Sequence, residues 1–356
     1  MGQGTNFKEK DLTSGSHFPN SMTANKNAAN SEASGKRRTP GWPEALILLQ
    51  SVVYGFGDPI SKIAFEVTPV YSMMSVRYSI AFITIFIMFR KRVIHTLRTA
   101  PVKTWLFPGL FIGMSYLLNN VALALTDATS VAFLRSLSVI ITPAIAFLIY
   151  RKHYKWQHIL IQVMVLPGMY LLCVRGGLSG FGIGETVAIF AAVLMAATLV
   201  LSQRFLSAGA EQYCKDDSKS NFQNQSEISF GAAEAAANPI DPVSLTALQA
   251  GCSAALALAG AAFFEGGLHL ENTTPAAWAI ILYLAILCTF LGYLMQNLAL
   301  TRISERTVSL LQSLCPVMTA VFSFFLLGET LSPAGIAGAA IIITCVTAGA
   351  AIGPSK

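Results

Sequence analysis

Ten windows of some twenty apolar residues recur along the chain, at about 44–66, 70–90, 104–126, 128–150, 156–174, 182–204, 242–264, 276–300, 307–327 and 332–352. Each is long enough, at about 1.5 Å per residue, to cross roughly 30 Å of hydrocarbon as a helix. The links between them are mostly short, so neighbouring helices pack antiparallel. A water-soluble alternative fails on composition: 54% hydrophobic and 12% charged residues, with a mean hydropathy of +0.57, leave more apolar surface than such a fold can hide.

Two polar stretches interrupt the pattern. Residues 1–42 are rich in Ser, Asn, Lys and Gly, lack the apolar run of a cleaved signal peptide, and read as a disordered cytoplasmic tail. Residues 207–241 separate the first six windows from the last four and read as an inserted polar linker on the cytoplasmic side. The six cysteines form no C-x-x-C pair and the five histidines are scattered, so neither a metal site nor any cofactor is expected, and the cysteines read as small core residues.

Charge sets the expected orientation. With the N-terminus in the cytoplasm, 20 of the 24 Lys and Arg residues fall on the cytoplasmic side, among them Arg90, Lys91, Arg92, Arg98, Lys103, Arg151, Lys152 and Lys155. Both termini are then cytoplasmic, and the plasma membrane is the expected location. The net charge of +6 follows from this topology, so no nucleic-acid partner is needed to explain it.

The chain also repeats itself. Y-L-L-N-N-V-A-L-A-L from Tyr116 returns as Y-L-M-Q-N-L-A-L-T-R from Tyr293, and at that offset of 177 residues 116–139 match 293–316 at nine of 24 positions. Asn120 falls on Asn297, and Ser136-Leu137 on Ser313-Leu314. The first and sixth windows align more loosely at an offset of 142, and the difference of 35 is about the length of the linker. Segment 43–206 thus carries the first copy, and 242–352 the remainder of a second copy that begins at 182–204. Five spans per copy is odd, so the second copy enters the membrane from the opposite side. The expected fold class is an all-α membrane protein of ten transmembrane helices in two inverted five-helix repeats, an architecture common among alternating-access transporters.

The stretch S-L-L-Q-S-L-C-P-V-M-T-A-V-F-S-F-F-L-L-G-E from Ser309, the following L-S-P-A-G-I-A-G-A-A, Gly55, Arg77 and the stretch from Ala128 to Leu137 carry a resemblance that spans about residues 44–352. In these the chain is similar to the EamA-type branch of the drug/metabolite transporter superfamily. It implies transport of small metabolites or amphipathic solutes, often outward, without ATP hydrolysis. The first half departs from the pattern at Val139, where the second half has Pro316, and at Lys152, which stands where the second half has Glu329. Nucleotide-sugar or triose-phosphate carriage within the same superfamily is the nearest alternative, and a channel or receptor a further one. Catalytic motifs, and with them an enzyme, are not read in this sequence.

Charges within the spans are the first site candidates, since each costs about 2.5–3.5 kcal/mol at a helix centre. Asp58, Arg77 and Arg135 fall at one depth, roughly 10–12 Å below the outer edge at the helical rise. Asp58 is expected to pair with one arginine, leaving a net positive site for an anionic group, or else to form an ion-pair lock between helices, with Lys62 competing. Asp58 is also the best-placed acid for proton coupling; facilitated or exchange transport is the alternative. Tyr116, Asn120, Tyr293, Gln296 and Asn297 occupy corresponding faces of the two copies, as solute ligands or as interhelical packing. Gln312 takes the place of Arg135 in the second copy. Gly55, Gly57 and Pro59 read as a kink beside Asp58 or as close-packing residues. Glu329 reads as a cap for the last span or a gate. The partners expected are a small-molecule solute and the lipid bilayer, with the chain a monomer or homodimer.

Overall fold

The computed structural model describes residues 41–126, 128–150, 156–173, 182–206, 240–328 and 332–352. The tail through residue 40, the linker through 239, Lys152 and Glu329 lie outside the described residues.

The described chain is almost wholly helical, and proline sets many of the helix starts. It fixes φ and needs no N–H partner in the first turn. Helix α1 (Trp42–Phe65) has Pro43 in its first turn, while α2 (Val70–Thr99) and α3 (Val102–Leu125) begin directly after Pro69 and Pro101. The fourth apolar window is divided into α4 (Ala128–Ser136) and α5 (Ser138–Tyr150). There follow α6 (Trp156–Cys173), α7 (Ile183–Phe205) and α8 (Pro242–Gly260), which continues as a π-helical turn through Glu265. Helices α9 (Pro275–Tyr283) and α10 (Gly292–Leu300) are joined by a π-helical stretch, Leu284–Leu291. The ninth window is again two pieces, α11 (Glu305–Gln312) and α12 (Cys315–Leu327), before α13 (Pro333–Ile352).

Side chains cap the exposed amides at several starts. Asp241 accepts from the Ser244 N–H at 3.1 Å, and Thr274 from that of Ala277 at 3.3 Å. Glu265, at the end of the π-helical turn, accepts from the backbone N–H groups of Tyr71 and Ser72 at 2.8 Å each, placing a carboxylate at the positive end of α2.

Among the described residues, seven helical runs are long and apolar enough to cross a membrane: 70–99, 102–125, 131–149, 183–205, 242–265, 275–300 and 305–326. This is fewer than the ten windows expected. The apolar helices at 159–171 and 333–349 are shorter, and α1, although 24 residues long, carries Glu44, Asp58 and Lys62. Large apolar side chains face outward, among them Ile87, Leu148, Phe263 and Phe325, an arrangement that suits lipid and not water.

Helix α3 packs on α7, α8 on both α2 and α3, α12 and α10 on α1, α5 on α7, and α13 on α6. Small residues permit the close crossings: a Cβ at Gly113 would stand 2.9 Å from the Ser253 Cα, and one at Gly109 2.8 Å from the Cys252 Sγ. Cys252, Cys288, Cys315 and Cys345 are free thiols, two of them buried, in keeping with a packing role.

The G-F-G-D-P segment does not interrupt its helix. Helix α1 runs through Pro59 as one continuous element, and the interruptions fall instead at Leu137, at Ser313-Leu314 and at Phe89, where α2 is kinked (φ -125°, ψ 25°). Gly55 serves contact: it lies against the backbone of Met318 and Thr319 on α12, whose atoms a Cβ would overlap.

Candidate functional site

The breaks at Leu137 and at Ser313-Leu314 face one cavity of about 40 Å3. Arg135, Ser136, Ser138 and Val139 line it from the α4–α5 break. Ser309, Gln312, Ser313, Cys315 and Pro316 line it from the α11–α12 break. Gln50, Ser51 and Tyr54 of α1 and Ser115, Tyr116 and Asn119 of α3 complete most of the wall, with Met195 of α7. The space holds roughly three waters at about 10–15 Å3 each, far below the ~300 Å3 of a typical ligand pocket.

One ion pair stands at the cavity. The Arg135 Nη2 donates to the Asp58 Oδ2 at 2.8 Å, and the same nitrogen reaches the Cys315 Sγ at 3.1 Å. Thr319 also donates to Asp58, at 3.4 Å, so α1, α4 and α12 meet on this pair. Its charges cancel. Lys62 makes no ion pair with Asp58.

An amide network faces the pair. Gln312 donates through Nε2 to Gln296 at 2.9 Å and to Gln50 at 3.2 Å, and Gln50 donates to the Gly292 carbonyl at 2.9 Å. Gln50, Gln296 and Gln312, from α1, α10 and α11, thus fix one another's orientation.

The other expected residues separate. Tyr116 lines the cavity and stacks on Tyr293 behind it, ring centroids 5.4 Å apart. Arg77 does not line it: its Nε donates to Thr289 at 2.9 Å and its guanidinium lies 5.4 Å from the Tyr78 ring centre. The two arginines therefore do not form one positive site with Asp58. Asn120 turns back to the Tyr116 carbonyl at 2.8 Å, while Asn297 donates to Gln249 at 2.7 Å and Thr246 at 3.0 Å, both on α8. Gln50, Tyr54, Ser115 and Asn119 were not singled out from the sequence. No cluster of three or more His, Cys, Asp or Glu groups able to hold a metal occurs among the described residues.

The EamA-like transporter family matches residues 41–174 and 228–348, well over half of the 356 residues. The chain belongs to this family. This EamA-like protein is accordingly a multi-pass membrane transporter of the drug/metabolite transporter superfamily, as the motif resemblance implied. It is 25% identical over 305 residues to an uncharacterized transporter of Archaeoglobus fulgidus, covering 84% of this chain and 83% of that one. A solved crystal structure shares the fold with a TM-score of 0.65 at 16% identity, over 87% of this chain and 96% of its own.

The two asparagines of the EamA-like repeat predict different costs. Asn297→Ala strands Gln249 and Thr246 in a buried interface and is expected to destabilise the protein by about 1–3 kcal/mol, read as a lower melting temperature in detergent. Asn120→Ala removes only a contact within its own helix and is expected to cost less than about 1 kcal/mol.

Proposed function

We propose that this chain is a secondary transporter that exports small metabolites or amphipathic solutes across the plasma membrane by alternating access, with both termini cytoplasmic. Its ten spans are the seven long apolar runs, α1, α6 and α13, arranged as two inverted five-helix copies. The observation that carries this reading is the meeting of two helix breaks on one cavity at equivalent positions of the repeat. Leu137 and Leu314 are separated by the same 177 residues as Tyr116 and Tyr293. Broken helices free backbone groups and side chains at a site while the rest of each helix stays packed, which is how transporter sites are built.

Helix packing supports the inversion. Exchange of the copies carries the contact of α3 with α7 into that of α10 with α1, and the contact of α12 with α1 into that of α5 with α7. The family match also falls in two segments, 41–174 over the first five spans and 228–348 over the last four.

The solute occupies the cavity between Arg135 and the glutamine network, and Asp58 is the group that couples proton binding to release of Arg135. Counterflow of a metabolite panel into liposomes holding the purified protein tests this. At least one solute is expected to accumulate, and Gln312→Ala is expected to weaken its apparent affinity about tenfold or more. The absence of accumulation for any solute, or unchanged affinity in Gln312→Ala, would overturn the cavity as the site. Proton coupling falls if transport ignores a proton gradient and Asp58→Asn leaves it unaltered.

A further inference from the structure

The largest unsatisfied polar cluster of the described residues lies behind the cavity, around Arg77. Arg77 is 5% exposed, and its one hydrogen bond goes to the neutral hydroxyl of Thr289. No carboxylate pairs with it among the described residues. Around it, within electrostatic reach, stand Tyr54, Tyr78 and Tyr293. All three phenol hydroxyls are buried with no partner at hydrogen-bond distance, as is the Nε2 of Gln296; beyond that distance Tyr54 faces Tyr116 and Gln50, Tyr78 faces Tyr293, and Tyr293 also faces Ser253.

Such a set is unusual in kind as well as in number. Buried polar groups are normally paired, and a buried cation without a counter-charge is among the costliest features a membrane interior can carry. The atoms present are a guanidinium and side-chain N–H and O–H donors. What they lack is acceptor oxygens and one negative charge. A carboxylate supplies both: two oxygens with about four lone-pair sites, spaced to match a guanidinium fork. A phosphate dianion would overshoot the single positive charge.

We infer that Arg77 and the hydroxyls of Tyr54, Tyr78 and Tyr293 form an anion site for the carboxylate of a small organic monoanion. The inference rests on the transporter reading for its purpose, since it makes the solute, or part of what is carried, a monocarboxylate. It adjoins the cavity through one side chain. The Tyr54 ring lines the cavity, edge-on to Tyr116 at 6.0 Å, while its hydroxyl sits over Gly292, where a Cβ would stand 2.5 Å from that oxygen. Glycine there leaves the hydroxyl room. Tyr54 and Tyr116 thus form the partition between the cavity and Arg77, and displacement of Tyr54 joins the two. The stacked Tyr116–Tyr293 pair offers a flat apolar wall for the rest of such a solute.

Benzoate and its uncharged counterpart benzamide, with inorganic phosphate as a third probe, test the site on the purified full-length protein in detergent, by thermal shift and titration calorimetry. Benzoate is expected to raise the melting temperature and to bind at least tenfold more tightly than benzamide or phosphate. Arg77→Gln is expected to abolish that preference and Arg77→Lys to retain part of it. Should Arg77→Gln not fold, Tyr78→Phe and Tyr293→Phe serve instead. Each removes an oxygen that has no partner at hydrogen-bond distance, so the unliganded protein keeps its melting temperature to within a few degrees while benzoate affinity falls severalfold.

Equal binding of benzoate and benzamide, phosphate binding as tight as benzoate, or wild-type benzoate affinity in Arg77→Gln would each overturn the proposal. The transporter reading fails separately. If benzoate binding depends on Arg77 while no solute shows counterflow, the anion site stands and the carrier falls; if counterflow is robust and benzoate does not bind through Arg77, the reverse holds.

Discussion

Arg135→Ala is expected to abolish counterflow and to destabilise the protein by about 3 kcal/mol, the low end of the cost of breaking a buried ion pair. The low end applies because Arg135 and Asp58 keep 17% and 21% side-chain exposure. Truncation of the arginine leaves the Asp58 carboxylate facing only Thr319 at 3.4 Å and the Cys315 thiol without its donor. Loss of transport alone would not separate a solute ligand from a lock between α1, α4 and α12. The double variant Asp58→Asn/Arg135→Gln does. It removes both charges and keeps amide hydrogen bonding, so the melting temperature is expected to recover most of the loss. If the pair only fastened helices, transport would recover with stability. The cavity reading requires that it stay lost, and a double variant that transports at the wild-type rate would reduce Arg135 to scaffold.

Length and apolarity carried the membrane class because hydrocarbon thickness is a hard constraint on sequence. The face that each helix turns to the site was harder to read. The repeat sets Tyr116 against Tyr293, whose rings stack, yet of the two adjacent amides in α3 it is Asn119 that lines the cavity, while Asn120 folds back on its own helix. In the second copy Gln296, the counterpart of Asn119, joins the Gln50 and Gln312 network, and Asn297 faces α8. One residue is about 100° of helix rotation. A soluble helix shows its buried face by amphipathic contrast, but a helix apolar on the lipid side and on the core side has no such contrast. Gln50 is hidden for a related reason: a lone amide in α1 carries no charge to mark it.

The breaks were invisible for a different reason. Leu137 and Ser313-Leu314 include neither glycine nor a proline common to both copies, for Pro316 answers to Val139. Residues that look like helix breakers, Gly55 and Gly57, sit in the uninterrupted α1. Helix propensity is a weak local preference, and tertiary contact overrides it here: these two interruptions fall where hydroxyls, Arg135 and Gln312 gather, and the glycines go where backbones touch.

Those glycines give the second large expected effect. Gly55→Ala places a methyl against the Met318 Cβ, 2.8 Å from its carbonyl carbon and 2.9 Å from the Thr319 nitrogen. Two of these are backbone atoms and cannot turn aside, so α1 and α12 must separate. Overpacking of this kind costs about 1–3 kcal/mol, and contact with backbone puts the variant at the upper end. Met318→Ala in the same chain would not rescue it, because the Cβ and the backbone remain. Gly57→Ala meets side chains alone, the Cys288 Sγ at 2.8 Å and the Leu284 Cδ2 at 3.3 Å, so Cys288→Ala is expected to restore its melting temperature. The consequences for transport divide along the same line. Helix α1 carries Gln50, Tyr54 and Asp58, and its displacement from α12 draws Asp58 away from Thr319 and tilts the whole wall of the cavity. Gly55→Ala is therefore expected to lose counterflow even in the fraction that remains folded, whereas Gly57→Ala/Cys288→Ala keeps it. Wild-type stability and transport in Gly55→Ala would mean that α1 and α12 do not hold this close approach in the working protein.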